Sequence, residues 1–245
     1  MSIVTIDDLL WEKQFSWINE NPEDLPVWVI GDVHGCSDQY EYILSTIISE
    51  TPYCQIYQLG DLIDRGPDLL EVFELTYNFN VIPIIGNHEL NFLQEYHGMK
   101  PCRSKARQET HNKFNTLKTA EQEFIIKMMS TSYNRAIVHS NNRYWNLSHS
   151  LPSTLPFTDE CVNASRMSMS SSEPVDKGLI NHVHGHKHWE YVEIQQQLKD
   201  RANRNHVFNI DSGCVYGKYL TALELSSLQV LQVEGVEYAK EISYN

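Results

Sequence analysis

The stretch VWVIGDVHG, residues 27–35, carries an unbroken apolar run into Gly-Asp-x-His-Gly. Four apolar residues in a row have the length of a buried strand, and the glycines allow the chain to reverse directly after it. The next segment, SDQYEYILSTIISE (37–50), places Tyr42, Ile43, Ile47 and Ile48 at helical spacing. The theme then returns twice. QIYQLGDLIDRGP (55–67) leads into DLLEVFELTYNF (68–79), where Leu69, Leu70, Phe73 and Leu75 mark one face. VIPIIGNHE (81–89) leads into LNFLQEYHG (90–98). Strands alternating with helices predict an α/β sheet, with functional groups at the carboxyl ends of its strands.

The rest of the chain reads differently. Residues up to NPEDLP (21–26) predict a short amphipathic helix and a loop. The stretch from Gly98 to about Tyr133 is polar and helical, with TAEQEFIIKMM (119–129) its clearest amphipathic piece, and its Lys and Arg residues are expected on a solvated face. RAIVHSNNRYWNLSHS (135–150) predicts two strands joined at Asn141-Asn142, a hairpin-type turn. SRMSMSSSEPVDKG (165–178) predicts a loop, LINHVHGHKHWEYVEIQQ (179–196) a strand-turn-strand, and residues 206–233 a run of strands. The expected architecture is therefore α/β (α+β), a four-layer αββα sandwich of two mixed β-sheets face to face with helices outside. One domain is expected over residues 1–245, with a helical insertion at about 98–134.

Composition narrows the function. With 245 residues, 41% of them hydrophobic, the chain can bury a sizeable core. A net charge of −13 disfavours long nucleic acid as the main partner. Five scattered cysteines (Cys36, Cys54, Cys102, Cys161 and Cys214) include no CxxC pair and fit reduced thiols rather than a disulfide scaffold. No basic start with a long apolar stretch and no membrane-length apolar run is present, so a cytoplasmic setting is expected, in a bacterial cell or a phage-infected host.

The polar residues at the strand ends form a chemical set. Asp32, His34 and Asp61 can hold one metal ion; Asp61 as a bridge, with Asn87, His149 and His186, can hold a second. Taken singly, each motif is weak: GDxHG can be a helix cap, GDLIDRG a salt-bridged turn, and His149 an ordinary buried histidine. Their joint occurrence in order is the specific signal.

GDVHG, GDLIDRG and GNHE, followed by LSHSLP, HGHKH and FNIDSGCVYG, resemble the metallophosphoesterases of the phosphoprotein phosphatase (calcineurin-like) family. Within that family the resemblance is to the bacterial and phage branch, which includes the lambda-phage protein phosphatase. The resemblance implies an enzyme with two divalent metal ions, Mn²⁺ first, Fe or Zn²⁺ also suited, on the residues just named. It implies Arg65 as a phosphoryl clamp, His88 as the general acid oriented by Asp64, and a metal-bridging hydroxide as nucleophile. A carboxylate beside an imidazole favours the proton-donating form. Arg166 is the candidate for a second phosphate-binding arginine.

The chain departs from the pattern in GHKH, where His188 becomes a candidate extra ligand for the Asp32/His34 ion. Alternation along an extended segment places His184, His186 and His188 on one side. The expected function is serine/threonine protein phosphatase-like hydrolysis of phosphomonoesters on a phosphorylated protein. The alternative is a hydrolase for small nucleotides: a dinucleoside tetraphosphatase, cyclic nucleotide phosphodiesterase or RNA-end phosphatase. Glu89 in GNHE, where dinucleoside tetraphosphatases tend to GNHD, tilts toward the former. A degenerate, non-enzymatic binding platform is disfavoured because no ligand position is lost.

Overall fold

The computed structural model describes residues 17–19, 25–150, 180–188, 192–193, 196–197 and 207–240. Among the described residues ten strands form two five-stranded sheets. The first runs in the order β1 (Trp17–Asn19), β5 (Arg135–Ser140), β6 (Arg143–Ser148), β7 (Ile180–His184), β8 (Val207–Asn209). The second runs β10 (Val230–Glu234), β9 (Tyr219–Glu224), β2 (Val27–Ile30), β3 (Gln55–Gln58), β4 (Ile82–Pro83). Both are mixed: β2, β3 and β4 are parallel, as are β6, β7 and β8, while β9 pairs antiparallel with β2 and β5 with β6.

Strand alternation explains why the sheets stack. Successive side chains on a strand point to opposite faces. Val27 and Val29 therefore enter the core between the sheets, with Tyr57, Leu59, Val138, Trp145, Leu147, Val183, Phe208 and Leu223. Trp28, Ile30 and Ile56 enter a second core on the other face, beneath the helices. This two-sided burial is why VWVI is apolar throughout instead of alternating.

The helices supply their own apolar stripes to that second core. They are α1 (Ser37–Glu50), α2 (Leu70–Asn78), α3 (Asn87–Tyr96), α4 (Lys105–Thr116) and α5 (Thr119–Thr131). Tyr40, Ile43, Leu44 and Ile47 come from α1, Val72 and Phe73 from α2, Phe92 and Leu93 from α3, Phe114 from α4, and Ile125 and Met129 from α5.

The predicted hairpin is present: Asn141 and Asn142 both adopt positive φ (49° and 58°), the backbone a two-residue turn of matching twist needs. Two expectations are corrected. Trp17–Asn19 is a strand parallel to β5, not part of a helix; its backbone groups are paired along the β5 edge, which outweighs the amphipathic pattern. The remainder of that predicted helix lies outside the described residues, as do the Ser-rich loop and Cys161. Of the strand expected after the β7 turn, only residues 192–193 and 196–197 are described, and there Gln196 and Gln197 donate their amides to the Glu193 carbonyl, a helical turn and not a strand.

Candidate metal centre

The parallel strands determine where the polar turns meet. β2, β3 and β4 end at one edge of their sheet, and β6 and β7 end together in the other, so five turns converge. The turns bring Asp32 and His34, Asp61 with Asp64 and Arg65, Asn87 and His88, His149, and His186. All but Arg65, Asn87 and His186 are buried. His34, Asp61, Asp64, Arg65 and His186 all hold positive φ (50°, 54°, 71°, 74° and 76°). A non-glycine residue there costs about 1–3 kcal/mol, and such strain gathers where a site requires it.

Two groups of donor atoms share Asp61. His34, Asp61 and His88 form one and Asp61, His149 and His186 the other, the atoms of each lying within 4.8 Å of one another. Backbone carbonyls orient two of the imidazoles. His34 Nδ1 donates to the Ile63 carbonyl (2.8 Å) and His149 Nδ1 to that of Leu59 (2.9 Å), so both Nε2 atoms face the site. His149 Nε2 lies 2.9 Å from Asn87 Oδ1, 3.1 Å from His186 Nδ1 and 3.4 Å from Asp61 Oδ2. Asp32 approaches from the other side and accepts the His186 amide on both oxygens (3.2 and 3.1 Å). Gly185 is required here, because a Cβ at that position would run into the Asp32 carboxylate. Asp61 also accepts the His88 amide (3.0 Å), capping the amino end of α3.

The donor set fits divalent cations. Burial, followed by repulsion from Asp211 and Asp61, raises the Asp32 carboxyl well above its ordinary range. Burial, with Asp61 contributing, pushes Asp211 up to about 6. Burial, aided by Arg65 and His88, lowers His34, and burial with His149 brings His186 to about 3, so both imidazoles are neutral at neutral pH, the form in which a histidine can hold a cation. Burial would lower His149, but the Asp61 and Asp32 carboxylates hold it at about 10, a proton a cation would displace. Crowded carboxylates among neutral imidazoles and an amide are the surroundings in which such ions are stable.

His88 has a separate anchor. Its Nδ1 donates to Asp64 Oδ2 (2.5 Å), leaving Nε2 toward the site, 3.7 Å from Asp61 Oδ2. The Arg65 guanidinium faces both imidazoles, its Nη1 against His34 Nε2 and its Nη2 3.1 Å from His88 Nε2. Asp64 is held by residues that sequence reasoning missed. Arg107 Nε donates to its Oδ2 (3.1 Å) and Thr110 Oγ1 to its Oδ1 (2.5 Å), both from α4. Arg107 is buried, so the expectation of a solvated basic face fails there. The spacing Arg107, Thr110, Phe114 is one helix face, and that is the only signal the sequence offered. Burial would raise Asp64, but the His88 hydrogen bond, the His88 and Arg107 charges and Thr110 bring it from 3.8 to about 2. A folded value below the unfolded one stabilises the fold above pH 3.8, and this contribution disappears as pH falls through 2.

Glu89 is a second omission. Buried, it accepts the amides of Asp61 and Gly86 on Oε2 (2.9 Å each) and of Ile63 on Oε1 (3.1 Å), tying two of the turns together. His188 lies in neither donor group; its ring packs on Tyr216 with centroids 4.3 Å apart. β7 ends at His184, and the positive φ of His186 turns the chain, so strand alternation does not carry through to His188. His184 turns its Nδ1 to the Gly185 carbonyl (3.0 Å). Arg166 lies outside the described residues.

If Arg107 positions Asp64, Arg107→Met lowers kcat about tenfold with KM little changed, since the Asp64–His88 pair loses alignment while substrate contacts remain. Steady-state kinetics over a pH series checks it, with Arg107→Lys restoring part of the loss; an unchanged kcat and pH profile refutes the role.

The family model of the calcineurin-like phosphoesterases matches residues 25–215, and the chain belongs to that family. It is accordingly a phosphoester hydrolase by class, and among the described residues no helix is long and apolar enough to cross a membrane. The chain is 26% identical to the asymmetrical bis(5′-nucleosyl)-tetraphosphatase of Oceanobacillus iheyensis, covering 84% of this chain and 90% of that one. It is 34% identical to the symmetrical enzyme of Nitrosococcus oceani, but over 33% of this chain and only 30% of the other. A crystal structure provisionally described as a diadenosine tetraphosphatase has the same fold, with TM-score 0.65 and 18% identity over 91% of this chain and 100% of that one.

Proposed function

We propose that this chain hydrolyses small nucleotides of the dinucleoside polyphosphate class by asymmetrical cleavage. The observation that carries the reading is the match to the asymmetrical tetraphosphatase across 84% of the chain, whereas the symmetrical enzyme matches across 33%. The tilt toward a protein phosphatase rested on Glu89. That residue is a buried tie between turns, so its identity bears on the scaffold and not on the substrate.

In this reading Asp32, His34 and Asp61 hold one divalent ion and Asp61, Asn87, His149 and His186 the other, with Mn²⁺ the ion expected to support activity in vitro. When bound, the pair neutralises phosphoryl charge and lowers the pKa of the attacking water. Arg65, facing His34 and His88, grips the phosphoryl oxygens, for which a planar guanidinium is suited. His88 Nε2 delivers a proton to the leaving phosphate oxygen, while Asp64 holds the opposite ring nitrogen. Residues 1–245 act as one domain, and the 98–134 insertion serves the site by carrying Arg107 and Thr110 to Asp64.

The test is a panel with Mn²⁺: diadenosine tetraphosphate, phosphoserine and phosphothreonine peptides, p-nitrophenyl phosphate and 2′,3′-cyclic nucleotides. Diadenosine tetraphosphate is expected to give the highest kcat/KM, by at least about tenfold, with AMP and ATP as products. A higher value on the phosphopeptides, or ADP alone as product, overturns it.

A further inference from the structure

A second group of metal-ligand types lies outside the converging turns, where α3 ends and α4 begins. Glu95 from the last turn of α3, Cys102 from the connection and His111 from α4 present donor atoms all within 4.8 Å of one another. We propose that Glu95, Cys102 and His111 form a further metal site for a thiophilic divalent cation of the Zn²⁺ class, separate from the Asp61-centred groups.

Thiolate, imidazole and carboxylate together suit Zn²⁺ far better than Mg²⁺ or Ca²⁺, and three protein ligands leave a fourth position for water. Tetrahedral coordination at ordinary Zn–S and Zn–N lengths sets ligand atoms about 3.5 Å apart. Glu95 Oε2 and His111 Nε2 are already 3.0 Å apart, and the Cys102 sulfur, whose thiol donates to the Ser104 carbonyl (3.6 Å), lies within 4.8 Å of both. Side-chain shifts of about 1 Å close the set.

The surroundings hold the ligands as a metal site requires. Phe92 stacks on the His111 ring, 4.3 Å between centroids and 16° between planes, which fixes the imidazole. Arg107 Nη1 donates to the other Glu95 oxygen (3.4 Å), orienting the carboxylate without taking Oε2. All three ligands are partly exposed, so an ion can enter. An ion here would fasten the middle of α4 to the end of α3, one helical turn from the Arg107 that reaches Asp64.

Co²⁺ tests the site without any substrate. Among the described residues the Asp61-centred groups contain no thiol, so a thiolate-to-cobalt charge-transfer band that is lost in Cys102→Ser reports the Cys102 site. The chelator-treated full chain, titrated with Co²⁺ under a phosphine reductant, is expected to develop that band. Cys102→Ser should abolish it and lower bound Zn²⁺ by one equivalent, with unchanged far-ultraviolet circular dichroism. His111→Gln should weaken Co²⁺ binding at this site at least about tenfold. Absence of the band in the wild-type chain, or its survival in Cys102→Ser, overturns the proposal. The outcome is independent of which phosphoester the enzyme cleaves.

Discussion

Asp61→Asn is expected to cut turnover of any phosphoester by at least about a hundredfold and to lower the metal content of the isolated protein. Asp61 is the one side chain shared by both donor groups of the centre. It is buried yet ionised: burial pushes its carboxyl up, and the nearby His149, His88 and His34 outweigh that and hold it well below the ordinary range. An amide keeps the volume and one acceptor oxygen, so the cap on the His88 amide survives and the fold is retained. What it removes is the negative charge at the point where two cations would otherwise repel each other. Metal analysis alongside kinetics on p-nitrophenyl phosphate gives the decisive comparison. Full activity with two retained ions would remove Asp61 from its bridging position.

The legible part of this molecule is local, and the illegible part is long-range. The two-residue hairpin at Asn141-Asn142 was readable because it needs only two residues that tolerate positive φ. The strand-end carboxylates and imidazoles were readable because each follows its own strand within a few positions. Arg107 was not: its guanidinium meets Asp64 across 43 positions, and on its own helix it looks like any solvent-facing arginine. Glu89 was legible as a letter in GNHE but not as a tie, since its partners Asp61 and Ile63 belong to a different turn. Strand alternation does not reach His188, because the positive φ at His186 turns the chain first and the His188 ring packs on Tyr216. Strained backbone at functional turns is where pattern rules are least able to reach.

His88→Asn should lower kcat by at least about a hundredfold on phenyl phosphate, and the loss should shrink as the leaving group becomes more acidic. The geometry presents two possible uses for this imidazole. Its Nε2 lies close enough to Asp61 and His34 to belong to a ligand group, and its Nδ1 is fixed by Asp64 as a general acid requires. The two uses predict different things. A ligand loss removes metal and depresses every substrate alike. A general-acid loss leaves the metal in place and penalises only departing oxygens that need a proton in the transition state. p-Nitrophenolate departs without one, whereas a phenolate or an alkoxide does not. The ratio of wild-type to variant kcat should therefore rise from p-nitrophenyl phosphate to phenyl phosphate, at constant metal stoichiometry. Asp64→Asn should follow the same leaving-group trend more weakly, because Arg107 and Thr110 still surround the amide while the charge that steadies the imidazolium is gone. A uniform loss with depleted metal would make His88 a ligand and move the source of the proton elsewhere.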